Sequence, residues 1–159
     1  MTSNLTRFGI LLVVTFLLQL LLPQVWAVFS YADFFILLAF HTARRTPGAS
    51  ALGLGFTAGL VQDATFSHVF PLGIQAFAKM TIAYLTLLVS RRLNLEHPGL
   101  QVPAVFLFSV FNVLTVAFFF VIFGKLSPIR DFLPILFSGT VNAFLSVPAW
   151  ALSSGKPRG

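Results

Sequence analysis

The residues able to do chemistry are few, and most sit inside apolar runs. Lys79 lies within the stretch Leu72–Val89. A lysine at membrane depth is costly unless it has a partner, so its position points to function by default. Helical side chains lean toward the helix N-terminus, which lifts the ammonium toward the level of Asp63. Asp63 is therefore the expected partner. Gln75, one turn before Lys79 on the same face, is expected to complete a polar cluster. Asn112 and Asn142 fall midway along two later apolar runs and would meet if those helices are antiparallel neighbours. Ser138, Asn142 and Ser146 form an i, i+4 row beside them. Interhelical hydrogen bonds in membranes average about 0.6 kcal/mol, so the amides read as glue between helices. The two polar groups are expected at different depths, which argues against one ligand cavity.

A second pattern is steric. Ala51, Gly55, Gly59 and Asp63 recur every four residues and so share one helical face. Small residues at this spacing let another helix backbone approach closely. The face can serve packing within the chain or a partner helix. The remaining chemistry is excluded residue by residue. Cysteine is absent, which removes disulfides, thiolate metal sites and thiol nucleophiles. His41, His68 and His97 are scattered and form no metal-ligand pair. No G-x-S-x-G occurs. Gly53-x-Gly55-x-x-Ala58 loosely imitates a dinucleotide fingerprint, but no strand precedes it. No catalytic, cofactor-binding or metal-binding residue is assigned from these motifs.

The elements that must position these residues follow from composition. Of 159 residues, 57% are hydrophobic and 9% charged, against about 25% charged in soluble domains. Such a chain cannot cover a soluble surface with polar groups, nor is it polar enough to be disordered. The expected fold is an all-α polytopic integral membrane protein: one transmembrane domain over residues 1–159, with a compact bundle of about six spans. The spans are expected at about 8–29, 34–43, 49–62, 72–89, 103–123 and 132–152. The second and third are shorter than the roughly 20 residues of a full crossing. A re-entrant hairpin made of these two would leave Arg44 and Arg45 at membrane depth, so six spans are preferred.

The net charge of +6 reads as membrane topology rather than nucleic-acid binding. Arg7, Arg44, Arg45, Arg91, Arg92, Lys156 and Arg158 fall on one side, and only Lys125 and Arg130 on the other. That bias places both termini in the cytoplasm. Arg7, an apolar run and Val25-Trp26-Ala27 imitate a signal peptide, but the run is long and reads as a first span. Pro103 and Pro134 suit first-turn positions of the last two helices, and Glu96-His97-Pro98-Gly99 a cytoplasmic turn. Trp26, Tyr31 and Trp150 suit the membrane interface.

Gly59-Leu60-Val61-Gln62-Asp63-Ala64, then Pro71-Leu72-Gly73-Ile74-Gln75-Ala76-Phe77-Ala78-Lys79, then Ala83-Tyr84-Leu85 resembles the signature of MreD, the bacterial rod shape-determining membrane protein family. Arg44-Arg45 at the end of a short second span looks like it too. The turn between Asp63 and Gly73 is slightly longer than the family's usual one. Gly59, Asp63 and Gly73 are carried over as signature positions only. The resemblance implies a scaffold in the bacterial inner membrane that binds MreC, a single-span protein with a periplasmic coiled coil. It implies membership of an elongation complex with RodA, a class B penicillin-binding protein and MreB, and a part in lateral peptidoglycan synthesis and rod cell shape. No cofactor and no nucleic acid is implied. The family is also similar in span plan to the substrate-binding subunits of energy-coupling vitamin transporters, which is the alternative function.

Overall fold

A computed structural model describes residues 2–46, 48–66, 72–95, 97–123 and 132–153. Lys125, Arg130, Lys156, Arg158, His68, Pro71 and Glu96 lie outside the described residues, as does the side chain of Trp150. Within them the chain is all-helical, with no strand. Six α-helices follow in order: α1 (Thr2–Val25), α2 (Phe34–Arg45), α3 (Gly48–Thr65), α4 (Ile74–Ser90), α5 (Pro98–Ile122) and α6 (Phe132–Ser153). A short 3₁₀ segment, Ala27–Tyr31, joins α1 to α2. Among the described residues two helices are long and apolar enough to cross a membrane, Thr6–Val25 within α1 and Pro98–Ile122.

Helix ends follow local chemistry. Asp33 caps α2, its carboxylate accepting from the N–H groups of Phe35 and Ile36. This satisfies two of the donors that every helix start leaves open. Arg44 and Arg45 close α2 at the negative end of its dipole. Helix α5 starts at Pro98, with His97 as its cap, earlier than the expected Pro103. Pro98 takes the first helical position, where a missing N–H costs nothing. Pro103 therefore lies inside the helix, not in its first turn. Pro134 is the third residue of α6, within the first turn.

The helices pack as two antiparallel hairpins around a central short helix. α3 lies along α4, and α5 along α6, with Gly139 of α6 against the Phe106 ring of α5. Helix α2 runs between the hairpins and touches every other helix. Its Ile36 and Phe40 pack with Ile82 of α4, Val105 and Phe108 of α5, and Leu95 from the turn before α5. On another side Phe35 and Leu38 meet Phe8 of α1 and Ala58 of α3. Among its described side chains, helix α1 buries Phe8 and Thr15, half-buries Leu12 and Phe16 beside them, and leaves Ile10, Val13 and Leu21 more than half exposed.

The shortness of α2 has a consequence for depth. The backbone N–H of Asp33 donates to Asn142 Oδ1 at 2.8 Å. Asn142 is ten residues beyond Phe132, the start of α6, which is about 15 Å along the helix axis. The start of α2 is therefore sunk deep in the bundle. The 3₁₀ segment follows it down beside α6, with Tyr31 packed edge-on to Phe137.

Candidate functional site: a buried polar knot

The sunken helix start brings together polar residues from five helices. Lys79 of α4 is fully buried, and its Nζ donates to Asp33 Oδ2 at 2.5 Å. The same ammonium donates to Gln75 Oε1 at 2.8 Å and to Asn112 Oδ1 at 3.1 Å. An ammonium has three protons, so its donor capacity is filled. Asn142 accepts from the Asp33 N–H and donates to Ser109 Oγ at 3.1 Å. From α1, Gln19 donates to the Ala32 carbonyl and accepts from the Phe34 N–H, both at 3.0 Å. The amide thus ties both flanks of Asp33 to α1.

Burying a lone ammonium would cost several kcal/mol, and a partner recovers that only with good geometry and further hydrogen bonds. Here one carboxylate and two amide oxygens supply them. The carboxylate is divided: Oδ1 caps α2 and Oδ2 takes the lysine. The knot therefore fixes four things at once: the start of α2, the depth of α4, and the seats of Asn112 and Asn142.

Asp63 does something else. Its carboxylate accepts from the backbone N–H groups of Gly73 at 2.9 Å, Gln75 at 3.1 Å and Ala76 at 3.0 Å. It caps α4 from the end of α3. Gly73, the residue before α4, has φ of +100°, a left-handed conformation that favours glycine. The expected Asp63–Lys79 pairing is thus corrected: Lys79 pairs with Asp33, because the oxygens of Asp63 are taken by the turn it closes. Asn112 and Asn142 are neighbours in the knot but do not bond each other. Each is bonded instead to a member of the ion pair. The expectation of two polar groups at different depths is corrected too, since Gln75, Lys79, Asn112 and Asn142 share one network.

The small-residue face is occupied. A Cβ on Gly55 would come 2.9 Å from the Lys79 carbonyl oxygen and 3.0 Å from Ala83 Cβ. One on Gly59 would collide with the Gln75 carbonyl and the Ala76 backbone. Ala51 is fully buried, in a cluster with Ala43 and Ala83. The face therefore packs α3 on α4, and this close approach sets the reach of Asp63 to the α4 start.

Two residues of this network, Gln19 and Ser109, escape a reading of the sequence by hydropathy; Asp33 reads there as the outer end of the second span, and the structure seats it at the depth of Asn142 instead. An aspartate immediately before the apolar run at Phe34 is a capping signal, and Gln19 is a lone amide in an otherwise apolar first helix. A second, smaller polar contact lies toward the other end. Arg44 donates to Gln101 Oε1, and Gln101 donates to the Ser146 carbonyl, both at 2.8 Å. Among the described residues no group of three or more His, Cys, Asp or Glu is placed to hold a metal.

Comparison with known proteins places the chain. The family model for rod shape-determining protein MreD matches residues 2–151. No curated protein and no solved structure matches. With nearly the whole chain matched, the protein belongs to the MreD family. It is a membrane protein with a role in determining rod shape.

Proposed function

From that membership, we propose that the chain is a non-enzymatic, multi-pass scaffold of the cell-elongation complex in the bacterial inner membrane. All six helices cross or line the bilayer as one transmembrane domain, with both termini in the cytoplasm. The scaffold binds MreC and, with it, RodA, a class B penicillin-binding protein and MreB, and so helps control lateral peptidoglycan synthesis. The family match over residues 2–151 carries this reading. The distribution of side chains supports it. Outward positions are apolar and large, such as Leu107, Phe118 and Phe144, each more than 60% exposed. Lys79, Asp63, Gln75, Asn112 and Asn142 are turned inward.

In this reading Ala51, Gly55, Gly59, Asp63 and Gly73 hold α3 on α4, and Lys79 with Asp33 seats α2. The partner then docks on what the bundle leaves bare. Helix α1 offers the best face. Thr6, Gly9, Ile10 and Val13 line an open apolar groove of about 460 Å³, and a Cβ on Gly9 would meet nothing. A small residue there lets the single span of MreC come close. The transporter alternative needs a free site, whereas every Lys79 donor is already engaged within the chain.

The test is gentle detergent purification of the tagged chain from its native membranes, with mass spectrometry of proteins and small molecules. The scaffold reading expects a single-span coiled-coil protein together with wall-synthesis enzymes. ATPase subunits or a stoichiometric vitamin would overturn it.

A further inference from the structure

Helix α4 presents one bare face. Phe77, Tyr84 and Leu88 are each more than 40% exposed and share a helical stripe. From Phe77 to Leu88 the stripe covers about 16 Å at 1.5 Å per residue, comparable to most of an acyl chain. It ends in two exposed arginines, Arg91 and Arg92. Neither has an ion-pair partner among the described residues. Between the stripe and the guanidinium groups lies a groove of about 520 Å³ lined by Leu88, Val89, Arg92 and Leu93.

The groove is built rather than incidental. The chain after α4 winds through one further turn, held by hydrogen bonds from the Arg92 and Leu93 N–H groups to the Val89 carbonyl, at 3.0 and 2.8 Å. Leu95 then plugs into the core at 2% exposure, against Ile36, Phe40 and Ile82. This anchor holds the arginine pair at the rim and keeps Leu93 outside, 48% exposed. Bulky side chains on the stripe suit fluid acyl chains, in contrast to the small residues of α1 that admit a helix. Charge decides the headgroup, because guanidinium groups bind phosphate oxygens in a two-pronged geometry and retain their charge.

We propose that the Leu88–Leu93 groove is a binding site for an anionic phospholipid of the cytoplasmic leaflet, with its phosphate on Arg91 and Arg92 and an acyl chain along the Phe77–Leu88 stripe. The proposal rests on the reading that α4 crosses the membrane with its Ser90 end at the cytoplasmic face.

The full chain, purified in neutral detergent, is mixed with phosphatidylglycerol or phosphatidylcholine and examined by native mass spectrometry. One phosphatidylglycerol is expected to remain bound in preference to phosphatidylcholine. A surface basic residue contributes about fivefold, so the double variant Arg91→Gln/Arg92→Gln should lose about thirtyfold of that retention. Its thermal unfolding in neutral detergent should match the parent, and Arg7→Gln should keep the lipid. Equal retention of both lipids overturns the site, as does an equal loss in Arg7→Gln, which would mean general surface attraction. Displacement by inorganic phosphate alone overturns the lipid as occupant. The chain has no cysteine, so alkylation of Leu93→Cys in sealed vesicles reports insertion separately. A wrong side there strikes the span reading, whereas an inserted chain without headgroup preference strikes the lipid site alone.

Discussion

Helices α1 and α2 follow one another in the chain and make opposite use of apolar sequence. α1 has 24 residues and a stretch of membrane length, yet only 11% of that stretch is buried. α2 has 12 residues, too few for a full crossing, and eight of them are buried. The longer helix contributes one ridge to the core, whereas the shorter one touches all its neighbours. Hydropathy measures how well a segment suits lipid. It does not measure how much of the protein rests on it. In this fold the helix least able to span the membrane organises the bundle, because its sunken start forces polar partners inward around Asp33.

That contrast can be broken most severely at the knot. Asp33→Ala leaves the Lys79 ammonium buried without its carboxylate, and loss of one partner of a buried pair costs about 3–5 kcal/mol. Unfolding in detergent or loss of accumulation in cells measures it. The double variant Asp33→Asn/Lys79→Met should recover part of the loss, since no charge is then stranded. A double variant as unstable as the sum of the singles would deny the pairing.

Next in size is the α3–α4 approach. Gly59→Leu must push α4 away from the Gln75 and Ala76 backbone, an overpacking cost of about 3 kcal/mol. Gly55→Ala should cost less, because its closest backbone contact is 2.9 Å. Asp63→Ala comes third. It strips the cap from α4, worth about 1–2 kcal/mol, and should raise hydrogen exchange at Gly73, Gln75 and Ala76 above all other amides of α4. The smallest effects belong to α1. Ile10→Ala and Leu21→Ala remove exposed side chains and should change stability by less than about 0.5 kcal/mol. A drop as large as that of Asp33→Ala would show that α1 is packed more tightly than its exposure indicates.

Much of this plan is legible in the sequence, for reasons that differ by residue. Periodic glycines announce a close helix approach, and α3 makes one, since a missing Cβ acts locally. Asp63 and Gly73 are signature positions, and the carboxylate of the first, near the end of α3, accepts from the N–H of the second, just before α4. The partner of Lys79 is not legible from its neighbourhood. Asp63 is near in sequence and at the expected level, but three backbone N–H groups claim it. Asp33 is 46 residues away and reaches the lysine only because α2 lies between the hairpins. Depth inferred from each helix alone fails in the same way. Asn112 and Asn142 look remote from Lys79 until the short α2 carries Asp33 down to them. The helix start at Pro98 was legible as a turn but not as a cap, because Pro103 offered a competing first-turn position.

We propose a division of labour: a polar knot around α2 holds the bundle, and the bare face of α1 receives the partner. The most direct measurement is recovery of MreC with tagged variants from native membranes, read beside accumulation of the variant itself. Gly9→Leu and Val13→Trp are predicted to accumulate normally and lose MreC, while Asp33→Ala loses both together. The account is contradicted if the α1 variants keep MreC and Asp33→Ala accumulates normally.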